Sequence, residues 1–191
     1  MDYQALLHRF TTSDEITCEQ TAISLGENQT DGLQVLTQLM AEPVVDLRFW
    51  AIRGLWAHGS PEAIAQIINA LQDEDEMIRS GAAVALGEMN AEIAVKALGH
   101  ALMNDATPSG DHATDALSKM GQVAAPPLIE ALAHQAVWAR RRAAKALIPV
   151  ESKKAIPALF NVLDDESYMV RHYAETALAR MGVGQMVYFQ V

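Results

Sequence analysis

Asp111, His112 and Asp115 form the one compact group of metal-type side chains in the sequence: two carboxylates one helical turn apart with an imidazole beside the first. The same residues suit the first turn of a helix with no ligand at all, because acids there complement the positive end of the helix dipole. No second histidine lies near in sequence, and the helix-start reading is the one the spacing supports. Cys18 has no adjacent His or Lys to stabilise a thiolate, so it reads as a small packing residue rather than a nucleophile. Neither a glycine-rich phosphate loop nor a nucleophile elbow occurs. Arg140, Arg141, Arg142, Lys145, Lys153 and Lys154 place six of the fourteen Lys and Arg within fifteen residues, close to Trp138. Such a run can receive carboxylates or phosphates; its plainer reading is solvated surface around one structural arginine, Arg140. No residue is assigned to catalysis, to a metal or to a cofactor.

The chain that must position these groups has 191 residues, half of them apolar, enough for a substantial core. A formal net charge of −10 opposes binding to nucleic-acid phosphate and to anionic membrane. One cysteine excludes an intramolecular disulfide and suits a reducing compartment. The segment MDYQALLHRF does not resemble a secretory signal, and no apolar run approaches the roughly 18 residues of a membrane span. These features predict a cytoplasmic protein.

Internal period dominates everything else. Within Asp73 to Met103, Ile78, Ala82, Ala85, Leu86 and Met89 share one helical face, and Val95, Leu98 and Leu102 share another. The first-helix leucine recurs as Leu25, Leu55, Leu86, Leu117, Leu147 and Leu178, and the second-helix leucine as Leu39, Leu71, Leu102, Leu132 and Leu163, at intervals of 30 to 32 residues. Small residues keep a column at Ala51, Ala82, Ala113, Ala143 and Ala174, which lets neighbouring helices approach closely. Arg48, Arg79, Arg140 and Arg171 fill another column, read as an internal ladder paired with carboxylates of the Asp75 and Glu166 type or with helix-end carbonyls. Pro61, Pro126, Pro127 and Pro157 fall at starts of second helices. In NDATPSGD (104–111) the arginine column holds Gly110 and the preceding apolar position Ser109, which predicts a short first helix and a local bend. The pattern predicts a single all-α domain over 1–191: a cap helix within 1–12, five and a half helix pairs over 13–182 and an apolar tail over 183–191.

The run Asp75, Met77-Ile78-Arg79, Ala82-Ala83, Ala85-Leu86-Gly87, repeated as Met169-Val170-Arg171, Ala174, Ala177-Leu178 and Met181-Gly182, resembles the HEAT-like repeat of the phycobilisome-lyase type. The resemblance implies an α-solenoid of the armadillo type whose second helices line a concave side, and it brings bilin lyase subunits into view. Enzymes similar to deoxyhypusine hydroxylase carry His-Glu dipeptides on such helices to hold two irons. No His-Glu dipeptide occurs here, and Tyr173 follows His172.

Recognition on a repeat scaffold falls to columns that vary in type, since the constant ones are used in stacking. On the second helices that column reads Thr37, Asn69, His100, Glu130 and Asn161; on the first helices it reads Gln20, Trp50, Gly81, His112, Arg142 and Tyr173. Asn69, His100, Glu130 and Asn161, with Arg141, Arg142 and Lys145, are the candidate binding residues. The reading is a non-enzymatic protein-binding scaffold with a concave recognition face and a protein partner. The alternative is a bilin lyase subunit or chromophore-handling factor. Met186, Val187, Tyr188 and Phe189 are expected to cover the open end after Leu178 and Met181, within one chain or in a weak homodimer.

Overall fold

Some helices in this chain begin where a short polar side chain takes up a free first-turn amide. Asp14 accepts the Thr17 amide at 2.9 Å, Ser60 that of Ala63 at 3.2 Å and Asp75 that of Met77 at 2.8 Å. The computed structural model describes residues 2–183. Among them the fold is all-α, a helical repeat of the α-solenoid class, with no strand. The first helix, α1 (Tyr3–Thr12), precedes alternating first and second helices: α2 (Glu15–Glu27), α3 (Gly32–Met40), α4 (Val45–His58), α5 (Pro61–Ala70), α6 (Glu76–Glu88), α7 (Val95–Asn104), α8 (Pro108–Met120), α9 (Ala125–Ala131), α10 (Val137–Val150), α11 (Ile156–Asn161) and α12 (Tyr168–Arg180). Short 3-10 turns lead into α7, α9 and α11. The tail expected to cap the chain, with Gly184, Met186, Val187, Tyr188 and Phe189, lies outside the described residues.

The chain forms two compact units, 1–89 and 90–191, where the repeat pattern predicts one domain. The boundary falls inside the Asp73 to Met103 repeat, at Asn90, whose φ of 48° breaks the helical path. In the first unit α2 packs on α3 and α4, and α4 packs on α5 and α6. Gly54 is required there: a Cβ would stand 2.3 Å from Leu36 Cδ2 and 2.8 Å from the Ala22 carbonyl. Tyr3 holds α1 in place by donating its hydroxyl to the Glu42 carboxylate at 2.8 Å, and burial with that acceptor raises the phenol pKa to about 12. In the second unit α7 packs on α8 and α9, and α10 on α8, α9 and α12.

The predicted leucine columns are the core. Leu25, Leu55, Leu86, Leu117, Leu147 and Leu178 are buried, as are Leu39, Leu71, Leu102 and Leu132. Leu163 is half-buried, and Val162 beside it is buried instead. Helix α12 ends at a glycine: Gly182 takes φ 80°, and the Val183 amide reaches back to the Leu178 carbonyl at 2.9 Å. The shortened first helix expected after NDATPSGD is corrected. Helix α8 has 13 residues, as α6 and α12 do, because Pro108 opens it with a preset φ and Asp105 folds its carboxylate onto the Thr107 amide at 2.9 Å.

Leu86→Ala removes a side chain with no exposed surface and is expected to cost about 2–5 kcal/mol in urea unfolding. A loss below about 1 kcal/mol would show that this column is not core.

Candidate functional site

The turns joining each second helix to the next first helix carry backbone carbonyls with no helical partner. The arginine column supplies the donors. Arg48 Nη1 donates to the Glu42 and Pro43 carbonyls at 3.0 and 3.1 Å. Arg79 makes the same pair of bonds to Asp73 and Glu74, and Arg140 to His134 and Gln135, each between 2.8 and 3.0 Å. Arg171 makes it to Asp165 and Glu166. The carboxylate partners come from the following turn: Arg48 pairs with Asp73 at 2.9 Å and Arg140 with Asp165 at 2.6 Å. Glu166 also pairs with Arg140, at 3.2 Å, as the ladder reading expects, whereas Asp75 caps its own helix and the Asp73 position takes the arginine. The guanidinium of Arg140 holds Asp165 below the ordinary carboxylate range.

Gly110 interrupts the ladder, and Arg142 repairs it from another helix. Its Nη1 donates to the Asp105 carbonyl at 2.6 Å and its Nη2 to the Thr107 carbonyl at 2.8 Å. Its Nε and Nη2 grip both oxygens of Asp111 at 2.8 and 3.1 Å. A Cβ on residue 110 would stand 2.3 Å from Arg142 Nη1 and 2.8 Å from its Cζ, so the glycine is the space that the guanidinium fills. Trp138 stacks on that guanidinium, 4.8 Å from its ring centroid. Arg142 is thus buried and fully engaged inside the fold, which removes it from the binding set. Asp111 is engaged with it, its pKa lowered first by the Arg142 hydrogen bonds and further by Arg141 and Lys145. No metal-binding group of three or more His, Cys, Asp or Glu forms among the described residues. Burial raises the Cys18 thiol pKa, and its Sγ lies 3.5 Å from the Phe10 carbonyl, as suits a packing residue.

Of the three consecutive arginines, only Arg141 is exposed. With exposed Lys145, one turn along α10, it lines a pocket of about 150 Å³ that also includes Asp115, Thr114, Met169 and Tyr173. Neither cation's side chain makes an ion pair among the described residues. The charge of the whole chain is unevenly placed. Residues 1–89 hold four Lys and Arg against fourteen Asp and Glu, and residues 90–191 hold ten against ten, so the −10 belongs to the first unit.

The second-helix column faces solvent in both units. Thr37 and Asn69 are exposed in the first, His100, Glu130 and Asn161 in the second. Thr37 accepts a hydrogen bond from Gln66 at 2.8 Å, whereas the side chains of Asn69, His100, Glu130 and Asn161 make none among the described residues. The first-helix column is mixed: Trp50 and Arg142 are buried, Gln20 and His112 exposed. None of the described helices is long and apolar enough to cross a membrane.

The family described as HEAT repeats matches residues 33–118 and 124–186, in agreement with the resemblance drawn from the repeat motifs. No curated protein matches. Among solved structures, the archaeal HEAT-like repeats protein from Thermococcus onnurineus NA1 is similar at 14% identity over 95% of this chain and 80% of that one, with a TM-score of 0.60. The complex of CpcE and CpcF of phycocyanin lyase from Nostoc sp. PCC7120 is similar at 21% identity over 95% and 77%, with a TM-score of 0.51. An engineered protein is similar at 21% identity over 96% and 98%, with a TM-score of 0.50. At these identities the likeness is one of fold.

Arg142→Ala removes the guanidinium donor to the Asp105 carbonyl and one of two donors to the Thr107 carbonyl, which keeps the Gly110 amide at 3.0 Å, and is expected to cost about 1–3 kcal/mol. Arg141→Ala is expected to stay within about 0.5 kcal/mol of wild type in the same denaturation series. If the two variants behave alike, the repair by Arg142 is refuted. The depressed carboxyls Asp111 and Asp165 contribute stability that is fully present above the unfolded carboxyl pKa of about 3.9 and is lost as pH falls through their folded values. Unfolding midpoints should therefore drop below about pH 4, with a shallower acid limb in Asp165→Asn.

Proposed function

We propose that this chain, which belongs to the HEAT repeat family, is a non-enzymatic scaffold that binds a protein partner through the exposed column of its second helices. The observation that carries this reading is the contrast between columns. The ladder arginines and buried leucines are occupied in holding the helices together. Asn69, His100, Glu130 and Asn161 stand at one register position, exposed, with their side chains unengaged and differing in type. Polar groups free of structural bonds can be matched by a partner with no loss to the fold.

Alanine variants at these four positions are expected to stay within about 0.5 kcal/mol of wild type in stability while weakening a partner recovered from the native cell. If they unfold the protein, the column is structural and the proposal fails. Partner binding unaltered by all four would equally remove this face from recognition.

A second reading, a bilin lyase subunit or chromophore-handling factor, is favoured by the likeness to the complex of CpcE and CpcF and by the pocket that holds Arg141, Lys145 and Tyr173. In that reading the two cations receive the propionates of a linear tetrapyrrole. Titrating the protein with such a pigment tests it: a red-shifted absorbance lost in Arg141→Ala and Lys145→Ala supports the reading, and an unchanged spectrum at high protein concentration counts against it.

A further inference from the structure

Ile16 apart, the exposed large apolar side chains of the first unit, Val44, Met77 and Val84, line two depressions at its first helices. Phe49, Ile52 and Trp56 of α4 face Met77 and Val84 of α6 across a groove of about 270 Å³. A neighbouring depression of about 520 Å³ shares Phe49 and Met77 and extends to Val44 and Leu47. The two form one trough, and Val44, Met77 and Val84 along it are 46%, 43% and 43% exposed. From Asp46 to Trp56 it follows α4 for about 15 Å, close to three turns of helix.

Gly81 keeps the floor open. Unlike Gly54 and Gly110, it has no close neighbour: a Cβ there would meet Phe49 and Ile52 at 3.8 Å, ordinary contact. The fold would accept alanine and gain helix propensity, so packing gives no reason for the glycine. A larger side chain, projecting further, would fill the trough.

Charge selects the occupant. Glu15 and Asp46 line one end. The only Lys or Arg on the walls, Arg53, is paired with Glu19 and held 4.6 Å over the Trp56 ring. The trough lies in the unit that carries the entire net charge of −10. We infer that the trough between α4 and α6 docks an amphipathic helix of a partner protein, with apolar anchors on one face and Lys or Arg toward the end that meets Glu15 and Asp46. Aromatic and methionine walls adapt to such anchors, and those two carboxylates set the charge of the segment they accept. This surface is separate from the second-helix column and does not depend on it.

The test uses the full chain and fluorescein-labelled peptides of about four helical turns: one with leucines on one face and Lys and Arg elsewhere, a second with the same leucines and Glu in place of the basic residues, and a third with the basic composition and the leucines scattered. Anisotropy titration is expected to give affinity for the first at least about tenfold above both others, falling with added salt. Gly81→Leu should reduce that affinity about tenfold or more, and Met77→Lys, at an exposed position that folding tolerates, should do the same. Gly81→Ala and the Asn69 and Glu130 variants should bind as wild type does. Equal binding of all three peptides overturns the inference, as does wild-type affinity in both folded variants Gly81→Leu and Met77→Lys. A wild-type mass by light scattering twice that of Gly81→Leu would assign the trough to a second copy of this chain and would also overturn it.

Discussion

Every helix pair in this chain must bring its neighbour close, and closeness half-buries the turn between them. The carbonyls of that turn lack helical partners, and an unpaired acceptor costs about 1–3 kcal/mol where water is excluded. A donor inserted from the side pairs them within the fold. A guanidinium meets the need better than an ammonium: it is flat, keeps its charge and carries donors in a fixed fork that can serve two carbonyls with one nitrogen and a carboxylate with the others. Arg48 and Arg140 do both, tying one turn to the next. The leucine columns provide most of the buried surface, but the arginines fix the spacing at which those leucines meet.

That division explains what the sequence disclosed and what it hid. Columns set by packing repeat at 30 to 32 residues and can be read directly. They led to the helix pairs, the buried leucines and the internal character of the arginine ladder. The capping glycine of α12 was equally open to reading, because a left-handed residue after a helix has few alternatives to glycine. Gly110 and Arg142 were not. Each breaks its own column, and nothing in a linear reading connects residues 32 positions apart on different helices. The signal was present as a surplus: three successive arginines where the column needs one, and one repeat that needs an arginine and has none. Length and distance in space, rather than type, turn those two anomalies into a single interaction. The boundary at Asn90 was also hidden, since the leucine columns run through it without a change of interval.

Charge follows a different logic from packing. The second unit, neutral in sum, pairs Arg140, Arg142 and Arg180 with Asp165, Asp111 and Glu151, and Arg141 and Lys145 stand exposed at one pocket. The first unit has few cations, and of these Arg48, Arg53 and Arg79 are engaged with carboxylates or turn carbonyls. Its surface field is therefore negative around an apolar trough, whereas the second unit offers a small polar pocket with two cations. Two regions built from the same repeat thus differ in the charge they present, because a ladder arginine constrains packing and leaves the charge of the exposed columns free to differ.

The first-helix column that reads Gln20, Trp50, Gly81, His112, Arg142 and Tyr173 shows how that freedom is used. The position sits at the edge of the helix contact, so its side chain can turn inward, outward or be absent without moving the backbone. Trp50 turns inward and is buried beside the first-unit depression. Arg142 reaches across to complete a turn that lacks its own arginine. Gly81 leaves space between α4 and α6 that no neighbour fills. One register position accordingly supplies a core residue, a structural donor and an opening, and which of these it becomes depends on the size of one side chain. Where the position lies open, as at Gly81, variation is less costly than at Leu86, whose side chain has no exposed surface. Departures from the repeat therefore collect there, and with them the surfaces in which one repeat differs from the next.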